Sequence, residues 1–313
     1  MPTPSQRRAV IDVGTNSVKL LVAQVSGRRV DPLLEQSEQT RLGIGFYETH
    51  RLQPAAIAQT ARAVAGFARK AAEWSAVSTR VIATSAARDA LNQDELIEAI
   101  RTTSGLAVEV ISGEQEADWA FRGVATTLLF VGQPLLIVDV GGGSTEFILG
   151  EGDHQQFGHS FRLGTVRLME QLPHSDPPTP EEWERCRVTL TEYLAQQVRP
   201  VIESELRTFS SSTVQLVATG GTSSIMARIE LGLTSFDRGR IEALRLTQAQ
   251  IRRQRERLWG VELVDRKKII GLPADRADVI LTGVAIYEVL MALFGFPDLR
   301  VSTRGLRFAA LLD

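Results

Sequence analysis

The chain has 313 residues, 43% hydrophobic and 23% charged, enough apolar material for two domains of ordinary size to fold without covalent staples. A formal net charge of −2 and a pI near 6.2 provide no global basic field, which excludes holding nucleic acid by counterion release; any polyanion must be bound locally. A single cysteine, Cys186, excludes an intrachain disulfide framework, and no cysteine–histidine group has zinc-ligand spacing.

In chain order, the leading MPTPSQRR is followed by an apolar run that Asp12 soon interrupts, a poor secretory signal, so a reducing cytoplasm is expected. In IDVGTNSVKLLV, from Ile11 to Val22, a short strand ends at Asp12, passes a small-residue turn and resumes as a strand from Val18 to Val25. The pattern then predicts a helix over Pro54 to Trp74 with Pro54 in its first turn, and a strand over Arg80 to Thr84. A helix over Asp94 to Ser104, a strand over Val108 to Ser112 and a helix over Glu114 to Leu129 follow.

The first hairpin then recurs. VDVGGGSTEFIL, from Val138 to Leu149, shares its Asp-Val-Gly-x-x-Ser core at a constant offset: 139 − 12, 141 − 14 and 144 − 17 all equal 127. Repetition of one unit across a chain is the signature of a duplicated architecture, and tips facing each other across a cleft are the expectation. The alternative is two unrelated glycine hairpins, each turn capped by its own aspartate.

Beyond the repeat, HSDPPTPEE (His174 to Glu182) is a loop ending in a helix start, with Thr179 as N-cap, Pro180 in first position and Glu182 closing a capping box. That helix is predicted to run to about Arg207. A strand over Gln215 to Ala218 meets Gly220 and Gly221. The helix over Gln248 to Trp259 carries Arg252, Arg253, Arg255 and Arg257, either an anion patch or, the preferred reading, a solvated face. The apolar stretch Val279 to Phe296 contains Thr282 and Glu288 and reads as a buried helix, so no membrane segment is expected.

The hairpin tips are the sharpest chemical feature. Glycine lets backbone approach phosphate oxygens and exposes N–H donors, and Thr15, Asn16, Ser17 and Gly141, Gly142, Gly143, Ser144 and Thr145 add hydroxyl, amide and backbone groups. Each tip also places one aspartate, Asp12 or Asp139, at a strand end, and carboxylates in a phosphate pocket call for Mg²⁺ to offset repulsion. ATGGTSS, with Gly220, Gly221 and Thr222, joins a strand to a predicted helix, where N–H groups point at an anion. Neither GxxxxGK[ST] nor GxGxxG occurs, so P-loop and dinucleotide fingerprints are absent. Glu114 opens a helix after a glycine, either as an ordinary first-turn acid or as a base kept ionised by helix dipole and N–H groups; Lys19 and Arg88 are candidate phosphate clamps or surface charges.

Taken together in order, IDVGTNSVKL, RLG (Arg41 to Gly43), ATSAARDA (from Ala83), ISGEQEA (from Ile111), VDVGGGSTEF, LGTVRL (from Leu163), ATGGTSS, LPADRADVILTG (from Leu272) and VSTRGLR (from Val301) resemble the exopolyphosphatase and guanosine pentaphosphate phosphatase family. The resemblance implies an α/β fold of two ribonuclease H-like domains, as in actin, Hsp70 and sugar kinases. Residues 1–125 and 126–313 would form the domains, with an interdomain cleft and the last helix packing back on the first domain. It implies a short form without the C-terminal HD-like domain of longer members, and hence a preference for short chains.

The implied activity is release of orthophosphate from the end of inorganic polyphosphate, with Mg²⁺ as cofactor and Mn²⁺ as its alternative. By the same resemblance Glu114 activates water, Asp139, Asp12 and Glu146 serve the metal, and Arg88 and the glycine loops hold substrate phosphate, with Gly220 to Thr222 at the nucleotide position of the fold. Removal of the 5′-phosphate from guanosine pentaphosphate, an acceptor-dependent kinase and a non-catalytic alarmone or polyphosphate sensor are the alternatives. Homodimers occur in the family; neither nucleic acid nor membrane is an expected partner.

Overall fold

The computed structural model describes residues 5–130, 132–209 and 214–313; the first four residues of the segment read as a poor signal lie outside the described residues. The chain divides into two units, one running to Leu128 and completed by Arg304–Asp313, the other Leu129–Thr303.

In the first unit, β1 (Gln6–Val13), β2 (Ser17–Ser26), β3 (Arg29–Gln39), β4 (Ser78–Ala83) and β5 (Val108–Val110) form one sheet in the order β3-β2-β1-β4-β5. β1–β2 and β2–β3 pair antiparallel, while β4 and β5 continue the sheet parallel to β1. Both faces of the sheet are covered, so β1 is apolar on both: Ala9, Ile11 and Val13 enter the core shared with Ala61, Val64 and Ile100, whereas Val10 enters the one with Trp119 and Phe308. The helices Pro54–Glu73 and Gln93–Ser104 supply the first layer, Gly113–Val124 and Leu306–Ala310 the second. A Cβ at Gly123 would overlap the Gly305 carbonyl, so the second layer closes at backbone contact.

In the second unit, β6 (Pro134–Val140), β7 (Thr145–Glu151), β8 (His154–Phe161), β9 (Gln215–Thr219), β10 (Arg245–Thr247) and β11 (Asp298–Val301) are ordered β10-β11-β9-β6-β7-β8. Read from β8, this is the arrangement of the first unit, β8-β7-β6-β9-β11 matching β3-β2-β1-β4-β5, with β10 as an additional antiparallel edge. The duplication is the ribonuclease H-like fold. It extends to register: Asp12 pairs with Lys19 and Val13 with Val18 in one hairpin, Asp139 with Glu146 and Val140 with Thr145 in the other.

The sequence also repeats Arg-Leu-Gly, at Arg41–Gly43 and Arg162–Gly164, each just after the third strand of its unit. The separation, 162 − 41 = 121, falls 6 short of the hairpin offset because β2 and β3 span 10 and 11 residues whereas β7 and β8 span only 7 and 8.

Helix limits depart from the sequence pattern in two places. The Glu114 helix stops at Val124, five residues (129 − 124) short of Leu129. There the Thr126 hydroxyl donates to the Gly123 carbonyl at 2.6 Å, competing with the continuing ladder. The helix expected to reach Arg207 runs Pro180–Tyr193 and Arg199–Leu206 with a π-turn at Leu194–Val198 between. Pro200 has no N–H to return to the Gln196 carbonyl, and the wider turn absorbs the missing bond. The Thr179–Glu182 capping box forms as read, and the Gln248–Trp259 helix has the limits read from sequence. The late apolar stretch is the buried helix Ile280–Phe294, and among the described residues no helix is long and apolar enough to cross a membrane.

Candidate active site

Each unit carries its candidates at the carboxyl ends of its parallel strands, where open α/β sheets bind ligands. In the first unit the strand ends are sewn together: the Thr84 N–H donates to the Val13 carbonyl at 3.2 Å and the Ile111 N–H to the Ala83 carbonyl at 3.0 Å. Asp12 lies at the end of β1, with Thr15, Asn16 and Ser17 in the tip that leads into β2, Arg88 follows β4 and Glu114 follows β5, so these six residues share one edge.

The β1–β2 tip is closed by the Gly14 N–H donating to the Ser17 carbonyl at 3.1 Å and backed by the first Arg-Leu-Gly turn. There the Arg41 N–H donates to the Asn16 carbonyl at 3.0 Å and the Gly43 N–H to the Thr15 carbonyl at 2.7 Å. Arg41 holds a left-handed φ of 49°, uncommon for a residue with a Cβ, and a Cβ at Gly43 would overlap the Thr15 methyl. Inside this braced loop Asp12 Oδ1 and Asn16 Nδ2 are buried without a hydrogen-bond partner among the described residues. A native core seldom leaves such groups unpaired, and an acceptor beside a donor suits a bound ion and phosphate. Lys19 lies on β2 directly across from Asp12.

Glu114 and Arg88 are joined through local structure. Ser112 caps the Glu114 helix, accepting the Gln115 N–H at 3.2 Å, which places Glu114 in a first turn with the positive end of the helix dipole. Arg88 Nη1 donates to the Ile111 carbonyl at 3.1 Å and to Glu116 Oε2 at 3.0 Å. Its Nε and Nη2 make no hydrogen bond among the described residues, leaving a two-donor edge of the kind that grips phosphate.

The second unit repeats the plan. The Gly141 N–H donates to the Ser144 carbonyl at 3.0 Å, and the second Arg-Leu-Gly turn backs the tip through the Thr165 N–H donating to the Gly141 carbonyl and the Val166 N–H to the Gly142 carbonyl, both 2.9 Å. Arg167 Nε donates to the Gly143 carbonyl at 2.8 Å. A Cβ at Gly164 would lie 2.5 Å from the Gly142 carbonyl carbon, so glycine sets how closely the brace approaches. Asp139 and Glu146 face each other across β6 and β7, and like charges directly opposite repel unless a cation intervenes. Ser160 donates to Glu146 Oε1 at 2.7 Å.

Gly220 sits at φ +89° after β9, and a Cβ there would overlap Asp139 Oδ1, so the Asp139 carboxylate lies on the third glycine element. Below it Tyr287 is fully buried and donates to the Val138 carbonyl at 3.2 Å; burial, reinforced by the Asp139 carboxylate, pushes its phenol well above the usual range and keeps it a donor.

Not every candidate presents its side chain alike. The buried Thr145 hydroxyl donates to the Leu163 carbonyl at 2.6 Å and the Thr222 hydroxyl to the Val140 carbonyl at 3.3 Å, so both fasten the loops they belong to. Sequence reasoning passed over Glu116, Arg167 and Arg276. The Arg276 guanidinium lies beside Gly221, 3.4 Å from where a Cβ would be, and its position within LPADRADVILTG was the available signal. Three of the four arginines of the Gln248–Trp259 helix are engaged with acids or an aromatic ring: Arg252 and Arg255 with Glu288, Arg253 with Glu230, and Arg255 also over the Trp183 ring at 4.1 Å.

Paired glycine hairpins with carboxylates at their bases, on duplicated ribonuclease H-like sheets, define a protein that handles phosphate groups. Comparison with known proteins supplies the family. The profile of the Ppx/GppA phosphatase family matches residues 21–313. Exopolyphosphatase 2 of Mycobacterium tuberculosis is 36% identical over 91% of this chain and 89% of its own length, and a putative exopolyphosphatase of Haemophilus influenzae is 29% identical over 96% and 88%. Among solved structures, the Aquifex aeolicus family member is 32% identical with a TM-score of 0.77 over 99% of this chain and 97% of that one. An exopolyphosphatase from Cytophaga hutchinsonii is 28% identical with a TM-score of 0.86 over 98% and 96%. The chain belongs to the Ppx/GppA phosphatase family and is a phosphoanhydride hydrolase. Phosphatases of this family generally use a divalent metal.

Proposed function

We propose that this protein is an exopolyphosphatase that removes the terminal phosphate of short polyphosphate chains, with Glu114 as the base that aligns and deprotonates the attacking water. The observation that carries the reading is that Arg88 is tied by Nη1 to Ile111 and Glu116, on either side of Glu114 in the chain, with its Nε/Nη2 edge making no hydrogen bond among the described residues, while Glu114 sits in the first turn of the helix. The carboxylate takes the proton of water as oxygen attacks the terminal phosphorus, and the bond to the bridging oxygen breaks, giving orthophosphate and a chain one phosphate shorter. Arg88 and the N–H groups of the glycine hairpin in its own unit spread the charge that develops on the equatorial oxygens.

The residues present fit Mg²⁺. Asp12 Oδ1 is buried without a partner, and Asp139 and Glu146 oppose each other on adjoining strands. Among the described residues no three histidine, cysteine or acidic side chains gather into an all-protein cage, and Mg²⁺ is ordinarily held by one or two carboxylates, waters and substrate phosphates. In the second unit Asp139 would hold it, with Glu146 opposite on the adjoining strand, and in the first unit Asp12 is the carboxylate available to it; it would supply charge neutralisation on the phosphates.

The test is orthophosphate release from tripolyphosphate, long-chain polyphosphate and guanosine pentaphosphate, each with Mg²⁺, Mn²⁺ or EDTA. Metal-dependent release with the highest kcat/KM on tripolyphosphate is expected. A higher kcat/KM on guanosine pentaphosphate would move the assignment to the nucleotide, and release dependent on an added acceptor would move it to a kinase.

A further inference from the structure

Glu116 has no part in the chemistry above, yet its carboxylate is buried beside the group expected to grip an anion. Its side chain is 9% exposed and that of Arg88 22% exposed, with Glu116 Oε2 accepting from Arg88 Nη1 at 3.0 Å. A carboxylate so close to an anionic substrate weakens binding by charge alone, so its presence there calls for a compensating effect.

Geometry provides one. Arg88 closes a one-turn helix, Ser85–Arg88, and would otherwise swing on a long flexible side chain. Two acceptors, Glu116 Oε2 and the Ile111 carbonyl, both take Nη1 and leave Nε and Nη2 without a hydrogen bond among the described residues. Because Ile111 directly follows β5 and Glu116 is two residues past Glu114 in the same helix turn, the two contacts tie the guanidinium to the peptide segment that carries the base.

We propose that Glu116 is a positioning residue for phosphoryl transfer, holding Arg88 by Nη1 so that its Nε/Nη2 edge is fixed in relation to Glu114 and ready for substrate phosphate. The inference rests on the reading of Arg88 as a phosphate contact.

Three replacements separate reach from charge. Glu116→Gln keeps an acceptor at the same reach without charge, Glu116→Asp keeps the charge but falls one methylene short, and Glu116→Ala removes both. With tripolyphosphate and Mg²⁺, kcat/KM should fall roughly 10- to 100-fold for the Asp and Ala variants, the scale of a misplaced clamp, and recover to within about threefold of the native value for Gln. In an Arg88→Ala background, Glu116→Asp should add no further loss, because its effect passes through Arg88.

Recovery by Asp but not Gln, or additive losses in the double variant, would overturn the inference. So would unchanged kcat/KM in Glu116→Asp with only a lowered melting temperature. An Arg88→Ala enzyme with native kcat/KM would instead remove the phosphate contact itself, and the inference with it. Should Glu116→Ala not fold, the Gln and Asp comparison decides alone.

Discussion

Gly220→Ala probes how the second unit holds its carboxylate. The position has φ +89°, where a side chain costs about 1–3 kcal/mol in backbone strain. The unit spans 175 residues (303 − 129 + 1), a size at which each kcal/mol moves the melting temperature by about 2–4 °C, so a decrease of roughly 2–12 °C is expected. The new methyl would also occupy the place of Asp139 Oδ1, and restoring ordinary carbon–oxygen contact moves the carboxylate by about 1 Å. Displacement on that scale at a reacting centre is worth about 100-fold in rate. Phosphate release from tripolyphosphate, measured across a Mg²⁺ titration with thermal melts in parallel, should show the lower rate and a rightward shift in metal dependence. Native rate, metal dependence and melting temperature together would refute the reasoning.

Two further predictions concern chemistry away from the loops. Burial pushes the Cys186 thiol up to about 12, and a thiol rather than thiolate is a poor nucleophile, so iodoacetamide at pH 8 should leave the folded protein unlabelled and label it once in denaturant, as mass spectrometry will show. The Asp313 carboxyl is held below its usual range by the hydrogen bond from Arg122, with Trp119 as a second donor. A depressed acid lends stability that is whole above its unfolded value of about 4 and is lost as pH falls through the lower folded value. Melting temperatures of the native chain and Asp313→Asn should therefore differ by a constant amount above pH 5 and converge in acid.

The hairpins were legible because a strand–turn–strand with glycine and aspartate at fixed places is a local pattern, and its recurrence at a constant offset is arithmetic. The same held for the Thr179–Glu182 capping box, whose four residues contain the whole interaction. The paired Arg-Leu-Gly braces were obscured because strands of unequal length changed their spacing. Glu116 looked like one more acid in a helix start, since its partner Arg88 is 28 residues away and meets it only when β4 and β5 lie side by side. The hydroxyls of Thr145 and Thr222 illustrate the converse: both belong to glycine elements that read as phosphate donors, while tertiary carbonyls from Leu163 and Val140 take their protons. The helix ends at Val124 and Tyr193 turned on a side-chain bond and on a proline about two turns downstream, which apolar periodicity does not register.

The central claim is that Glu114 is the base for attack on a terminal phosphate. Its most direct test is a single-turnover measurement of orthophosphate release from tripolyphosphate with saturating Mg²⁺, comparing the native chain with Glu114→Gln and measuring substrate affinity separately. The account predicts that the variant binds tripolyphosphate within a few-fold of the native affinity and releases phosphate about 100- to 10,000-fold more slowly. Native release by Glu114→Gln, or loss of binding in proportion to loss of rate, would contradict it.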